Sequence, residues 1–185
     1  MRYTHGSDVL LRGQDRSYMA AIPTQGQAEE HVVYEIEAMC RAAARYAKEW
    51  GATVNMATPA GYQDAVFFLE AALLHARTLV MAFGYPDKSA RRLVKALGVK
   101  KGHEKSFRDG FSHPTASATK AYGQLSELMA HIGETRWEVP LDVHVHQPIE
   151  VAYSVLDALE ACGATQNPVL KAAVDQERQV LTDAV

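Results

Sequence analysis

The sequence predicts an all-α fold, an antiparallel bundle of four to six helices behind an irregular N-terminal arm. Apolar residues recur at three- and four-residue steps over most of the chain, which is the spacing of a helix face. Almost no stretch alternates apolar and polar residues as a half-buried strand does. Glycine and proline residues separate most of the periodic stretches, so we expect long helices joined by short connections and packed side by side.

The N-terminal half contains an arm and three helices. Residues 1–26 have no helical period and are broken by glycine and proline, so we expect an irregular arm before a single domain at 27–185. Apolar periodicity predicts helices at 28–50, 61–83 and 88–97. Each is followed by a glycine, and Gly98 is the candidate C-cap of the third helix.

The C-terminal half contains three further helices. Glycine and proline break residues 100–114, where we expect a turn or the start of a helix rather than a continuous helix. An apolar face predicts a helix at 116–132, and 137–146 is predicted to be extended. A helix at 148–162 begins with proline, and the last helix begins at Asn167 as N-cap. The natural core set is the four helices at 28–50, 61–83, 116–132 and 148–162.

Composition excludes several classes of protein. Of 185 residues 48% are apolar and 22% are charged, which excludes a mainly disordered chain. The net charge of -3 excludes a globally basic nucleic-acid coat. Cys40 and Cys162 lie in apolar helical patterns, where a free thiol acts as a small hydrophobe, and they favour a reducing compartment.

The apolar stretches do not predict a membrane protein. The first residues lack the long apolar block of a signal peptide. Charged or titratable residues interrupt the most apolar stretch, 65–83, so we expect no membrane span. His144 and His146 have the spacing of two metal ligands but no third ligand. We therefore expect a cytoplasmic protein without a metal or cofactor.

A basic segment lies between residues 88 and 108. It contains eight cations and one acid, Glu104, so it carries +7 while the rest of the chain carries -10. This asymmetry is typical of a polyanion-binding surface, or of a solvated helix face followed by a basic loop. The predicted RNA-binding residues in it are Arg91, Arg92, Lys95, Lys100, Lys101 and Lys105.

Arg108 and His113 follow this segment and form the candidate catalytic site. Arginine clamps phosphate in a fork, and histidine exchanges a proton near neutral pH. His113 could therefore move a proton at the 2′-hydroxyl or the leaving oxygen of RNA while Arg108 stabilises the phosphorane. Asp109 would orient one of these two side chains. The alternative is an arginine and a histidine that merely decorate a loop.

A second candidate polar site starts on the helix at 61–83. At about 100° per residue, Glu70 and Arg77 lie inside the apolar stripe centred on Val66. They predict either a structural salt-bridge network or a polar site inside the bundle. His75 lies on the far side of that helix, where it is solvated or faces a dimer partner. His131 and Arg136 complete the set, or decorate a helix end.

The segment Phe107–Pro114, FRDGFSHP, resembles the signature of the HEPN superfamily, an arginine, a polar residue, three more residues and a histidine. Arg108, Asp109 and His113 match it position by position. The segments 67–83 and 128–136 are similar to small HEPN-like bacterial proteins that carry a His-Ala-Arg-x-Leu helix and a later His-x4-Arg. In these segments His75, Ala76, Arg77, Leu79, His131 and Arg136 match. Only one of the two Arg/His pairs can be the catalytic motif.

The resemblance, which covers residues 60–162, implies an α-helical homodimer linked to RNA cleavage, toxin–antitoxin systems or phage defence. It implies a site in which two signature motifs meet across the dimer, although many relatives are catalytically silent. We therefore expect a metal-independent endoribonuclease or an RNase-derived defence protein, with RNA and an antitoxin or another protein as partners. The alternatives are a non-catalytic interaction protein that binds a partner through the basic segment, and a DNA-binding helix-turn-helix at Ser89–Arg108.

Overall fold

The structure is a computed structural model that describes residues 22–51, 59–111 and 147–185. These residues form six α-helices and no strand, which confirms the predicted all-α fold. The predicted helix at 116–132 and extended stretch at 137–146 lie outside the described residues, as does the arm before residue 22. The helices are α1 (Gln25–Gly51), α2 (Pro59–Gly84), α3 (Lys88–Ala96), α4 (His103–Phe111), α5 (Gln147–Ala161) and α6 (Pro168–Thr182), with a 3-10 turn at Ala164–Gln166.

Local capping signals set several helix ends. Thr24 and Gln27 form a reciprocal box in which each side chain accepts a hydrogen bond from the other's backbone N–H, so α1 begins three residues earlier than predicted. Gly98 adopts a positive φ of 79° just beyond α3, and its N–H donates to the carbonyl of Lys95. The C-cap residue itself is Leu97, so the predicted Gly98 lies one position past the cap, where the left-handed conformation favours glycine. Asn167 is confirmed as the N-cap of α6, because its side chain accepts from the N–H groups of Val169 and Leu170.

Side-chain contacts show how the helices are oriented. Glu35 meets His75, and ten residues further along α1 Arg45 lies over Phe68, so α1 and α2 are antiparallel. The helices α5 and α6 are also antiparallel. Asp157 of α5 contacts Arg178 of α6, and Tyr153, which lies earlier in α5, contacts Thr182, which lies later in α6. By contrast, α1 and α6 run in the same direction, since contacts join Glu29 to Asn167 and Arg41 to Glu177.

The helix α4 corrects the prediction that residues 100–114 form no continuous helix. Phe107 is fully buried and stacks on Phe83 with 5.8 Å between ring centroids. Gly110 lies inside α4, where a Cβ atom would stand 2.9 Å from the Cβ of Ala161. The missing side chain therefore lets α4 approach α5 closely, and this packing outweighs the low helix propensity of glycine.

The last helix belongs to the core, which corrects the predicted set of core helices. Leu170, Val174 and Leu181 on α6 are at most 1% exposed and join one hydrophobic cluster with α1, α2 and α5. Their steps of four and seven residues put them on one helix face. The predicted core member at 116–132 lies outside the described residues, so its place in the bundle stays a prediction.

The helix α2 is unusually apolar. Its stretch Phe67–Gly84 is long and apolar enough to cross a membrane by length and composition alone, with a mean hydropathy of 1.4. The core helix of a soluble protein passes the same test. Leu69, Leu73 and Phe83 in this stretch are at most 2% exposed among the other helices, so packing inside the bundle accounts for much of this apolar character.

Candidate functional site

Two of the predicted RNA-binding cations and the predicted catalytic arginine converge on one pocket. It has a volume of about 380 Å³ and lies where the end of α2 and the following turn meet α3 and α4. Arg91 of α3 and Lys105 and Arg108 of α4 line it, together with the carboxylate of Glu104. The pocket therefore carries two net positive charges in formal count. We call it the basic pocket.

Arg108 reaches from α4 to the last residue of α2. Its Nη1 donates a hydrogen bond of 2.6 Å to the carbonyl oxygen of Gly84. Its guanidinium carbon lies 5.4 Å from the centre of the Tyr85 ring, in the range of a cation–π contact. These contacts satisfy a free carbonyl at the helix C-terminus and hold the arginine in place. Arg108 is nevertheless exposed, and one hydrogen bond uses one of its five N–H donors.

Arg91 is also positioned by the turn after α2, whereas Glu104 is positioned by α4 itself. The Nε of Arg91 donates to the carbonyl oxygen of Pro86 at 3.2 Å. Glu104 sits in the first turn of α4, and a hydrogen bond with its own backbone is the largest cause that lowers its pKa. The charges of Arg91 and Arg108 lower this pKa further. Glu104 is therefore ionised near neutral pH and partly offsets the cations.

The remaining predicted residues are distributed differently. Lys95, Lys100 and Lys101 are exposed and do not line the basic pocket, and Arg92 is half-buried on α3. Asp109 is exposed on α4. As the residue next to Arg108 it points to a different side of the helix, because adjacent helical residues do not face each other. His113 lies two residues past the end of α4 and outside the described residues, so its relation to Arg108 stays a prediction.

The structure corrects the expected environment of His75. This residue is neither solvated nor on an outer face: its side chain is 18% exposed in the seam between α1 and α2. Its Nδ1 lies 2.8 Å from Oε2 of Glu35, and its ring meets Tyr34 edge-on. The sequence angles were misleading because the buried face of α2 is not centred on Val66. Alanines such as Ala72 and Ala76 belong to this face, and its centre is displaced by about 80°.

The second candidate polar site is not one cluster in the described part of the chain. His75 pairs with α1, whereas Arg77 lines a groove between α2 and α3. Glu70 is half-buried two helical turns before Arg77. No ion pair involves Arg77 among the described residues, so the expected salt-bridge network does not extend to it there. His131 and Arg136 lie outside the described residues.

Sequence reasoning missed two buried carboxylates. Glu35 lies about 60° from Val32 on α1, inside the apolar face. Glu177 continues the apolar series of α6 between Val174 and Leu181, and it is 0% exposed. Its Oε1 accepts from Nη2 of Arg41 at 3.3 Å, while its Oε2 has no hydrogen-bond partner within the described chain. The signal that would have found both is an acidic residue at a position where the helical spacing continues a buried apolar face.

Other chemistry is sparse in the described ranges. No group of three His, Cys, Asp or Glu side chains there is arranged to hold a metal ion, and His144 and His146 lie outside those ranges. Cys40 and Cys162 are free and buried, as expected for small hydrophobes. Burial raises the pKa of the Cys162 thiol to about 11 and also raises that of Cys40. Neither thiol is therefore activated as a nucleophile.

Comparison with protein families, with curated proteins and with solved structures finds no match to this chain.

Proposed function

We propose that the protein binds RNA at the basic pocket and cleaves it without a metal ion, as a cytoplasmic homodimer with a role in toxin–antitoxin systems or defence. The observation that carries the proposal is the convergence of Arg91, Lys105 and Arg108 on one pocket. Cations from two helices at one site suit the phosphates of a nucleic-acid backbone, which supply most of the affinity in such complexes. The HEPN-like motif that begins at Arg108 supports RNA as the substrate.

The proposed reaction is an internal transesterification. His113 takes the proton of a 2′-hydroxyl, the 2′-oxygen attacks the adjacent phosphorus, and the bond to the 5′-oxygen breaks. The leaving 5′-oxygen takes up a proton from water, and His113 releases its proton to solvent. The other product ends in a 2′,3′-cyclic phosphate. Arg108 would stabilise the charge on the phosphorane, because guanidinium N–H groups match the geometry of phosphate oxygens. Its anchoring by Gly84 and Tyr85 supports this role, since a fixed donor needs little reorganisation during the reaction.

The cleavage test uses the full chain and end-labelled RNA in EDTA. We expect wild type to produce 2′,3′-cyclic phosphate ends. Since positioned general acid–base catalysis contributes about 10²- to 10⁴-fold, His113→Gln should slow cleavage by a similar factor. Helical content and unfolding midpoint should not change. Metal-free cleavage that persists in His113→Gln would refute the assigned base, and the absence of cleavage on every RNA tried would remove the catalytic proposal.

The binding test is independent of catalysis. Lys105→Gln should weaken the binding of single-stranded RNA and reduce the slope of log affinity against log salt by about 0.7, the value for one lost phosphate contact. Lys171→Gln is the matched control, because it removes the same charge from an exposed position on α6. Equal slopes for the two variants would refute RNA binding at the basic pocket. Lys105 is preferred to Arg108 here because Arg108 also bonds to Gly84.

A non-catalytic interaction protein is the second candidate. The bond from Arg108 to Gly84 favours it, because capping the end of α2 is a structural role that needs no substrate. In this case the basic segment would bind an acidic partner protein, and the bundle would stay intact without cleaving RNA.

The helix-turn-helix alternative fits the helix spacing less well. Its two helices, α3 and α4, are separated by six residues, 97–102, whereas the usual turn has about three to four.

A further inference from the structure

The helix α2 has a second apolar face in addition to the one that packs in the core. Phe67, Leu74 and Met81 recur every seven residues and are 65%, 44% and 48% exposed. At about 100° per residue they lie on one side of α2, roughly opposite the buried face. A helix that is apolar on both sides normally has both sides covered, so this stripe, which the described helices leave exposed, is suited to an apolar partner.

The C-terminal part of this stripe forms one wall of a groove. The groove has a volume of about 550 Å³ and lies between α2, α3 and the start of α1. Its apolar lining includes Leu74, Met81 and Leu93, and Tyr85 lies at the end where it approaches the basic pocket. Such a volume falls within the range of about 300–1,000 Å³ for small-molecule sites. We call it the α2–α3 groove.

Arg77 is the residue that gives the groove a chemical preference. Its side chain lines the groove and is half-buried, yet it makes no hydrogen bond or ion pair to any described residue. A guanidinium has five donors, and withdrawing it from water without a partner is unfavourable. A carboxylate placed in the groove would accept two of these donors in parallel. The apolar walls on either side would hold a hydrocarbon chain.

The charges in the groove favour a ligand with one negative charge. Arg77 is the one arginine or lysine in its described lining, where the imidazole of His31 and the carboxylate of Asp87 also lie. A dianion such as a phosphate monoester would meet a single permanent cation, and Asp87 would repel its second negative charge. The volume accommodates about 18 non-hydrogen atoms, if each takes the ~30 Å³ of a water molecule in the liquid. These properties match a medium- to long-chain carboxylate.

We propose that the α2–α3 groove binds a monoanionic amphiphile, a carboxylate on an alkyl chain, with Arg77 paired to the carboxylate. Leu74, Met81 and Leu93 contact the chain. Among the described residues the groove shares only Tyr85 with the basic pocket, and the proposal does not depend on RNA binding or cleavage.

The first test compares three ligands with the full wild-type chain by isothermal titration calorimetry. The ligands are decanoate, decanol and decyltrimethylammonium, all at concentrations where they are monomeric. Because a hydrogen bond to a charged group contributes about 1.5–3 kcal/mol, decanoate should bind about 10- to 100-fold more tightly than decanol. The cation should bind more weakly still. Equal affinity for decanoate and decanol, or no binding of decanoate, would overturn the proposal.

The second test uses variants. Arg77→Met should remove the preference for decanoate, whereas Lys48→Met, which removes the same charge from an exposed site on α1, should leave it unchanged. Met81→Ala should weaken decanoate and decanol alike by several-fold, because it shortens the apolar wall without changing the anion contact. An unchanged preference for decanoate over decanol in a folded Arg77→Met variant would show that Arg77 does not bind the carboxylate.

Discussion

Replacing Glu177 by methionine is expected to stabilise the protein at neutral pH by about 1–2 kcal/mol. An unpaired buried polar oxygen costs about 1–3 kcal/mol, and Oε2 of Glu177 has no partner within the described chain. The losses to set against this gain are a long hydrogen bond of 3.4 Å from Nε2 of Gln176 and the pair with Arg41. That side chain is 53% exposed and also lies 3.2 Å from Glu37, so the pair resembles a surface contact of about 0–1 kcal/mol.

The pH dependence separates this explanation from a simple packing effect. Burial raises the pKa of Glu177 above its ordinary value of 4.5, and Arg41 opposes the shift. At pH values between 4.5 and the raised pKa of the folded state, the folded protein binds more protons than the unfolded chain. The contribution of Glu177 to stability therefore falls as pH rises through this range. The destabilisation of wild type by the ionised Glu177 is complete only at pH values above the raised pKa. The gain from methionine should therefore be smaller near pH 4 than near pH 7.

The measurement is urea unfolding followed by circular dichroism at both pH values. Gln179→Met is the control, because it places the same side chain at an exposed position of α6. It should change the free energy of unfolding by no more than about 0.5 kcal/mol. A loss of more than about 1 kcal/mol in Glu177→Met at pH 7, or an equal gain at both pH values, would refute the reasoning.

Three further predictions concern packing, capping and thiol burial. Gly110→Ala should lower the free energy of unfolding by about 1–3 kcal/mol, because its new Cβ would meet Ala161. Gly26→Ala, with no atom within 4 Å of the new Cβ, should be neutral or stabilising in the same urea assay. Asn167→Ala should cost about 0.5–2 kcal/mol, seen as a lower thermal midpoint, because α6 loses its N-cap. Cys40 and Cys162 should resist a thiol-reactive disulfide dye near pH 8 until urea unfolds the chain, because both are buried with raised pKa values; rapid labelling of the native protein would contradict this burial.

Much of the secondary structure followed from local signals, and the exceptions have a common cause. The predicted bounds of α1, α2, α3 and α5 lie within three residues of the observed ones, since apolar period and terminal glycine are read along the chain. By contrast, α4 was not predicted, because the close packing of α5 compensates for the low helix propensity of Gly110. The aromatic stack of Phe107 on Phe83 and the contact of Gly110 with α5 join residues far apart in sequence.

The candidate sites show the same division. A basic segment was visible in the sequence, but its cations are spread over two helices. The placement of α3 and α4 at the end of α2 brings Arg91, Lys105 and Arg108 to one pocket. The polar residues of α2 were assigned to a single site, although each side of that helix faces a different neighbour. His75 meets Glu35 on α1, and Arg77 lines the α2–α3 groove.

Local sequence patterns were enough to predict the all-α class, most helix ends, the buried state of both cysteines and the concentration of positive charge between residues 88 and 108. These properties depend on residues within a few turns of one another. Helix packing sets which cations share a pocket, which acids are buried and which face of α2 the described helices leave open. Those properties depend on how helix faces pair, and the pairing is set by the packing of residues distant in sequence, such as Gly110 with Ala161.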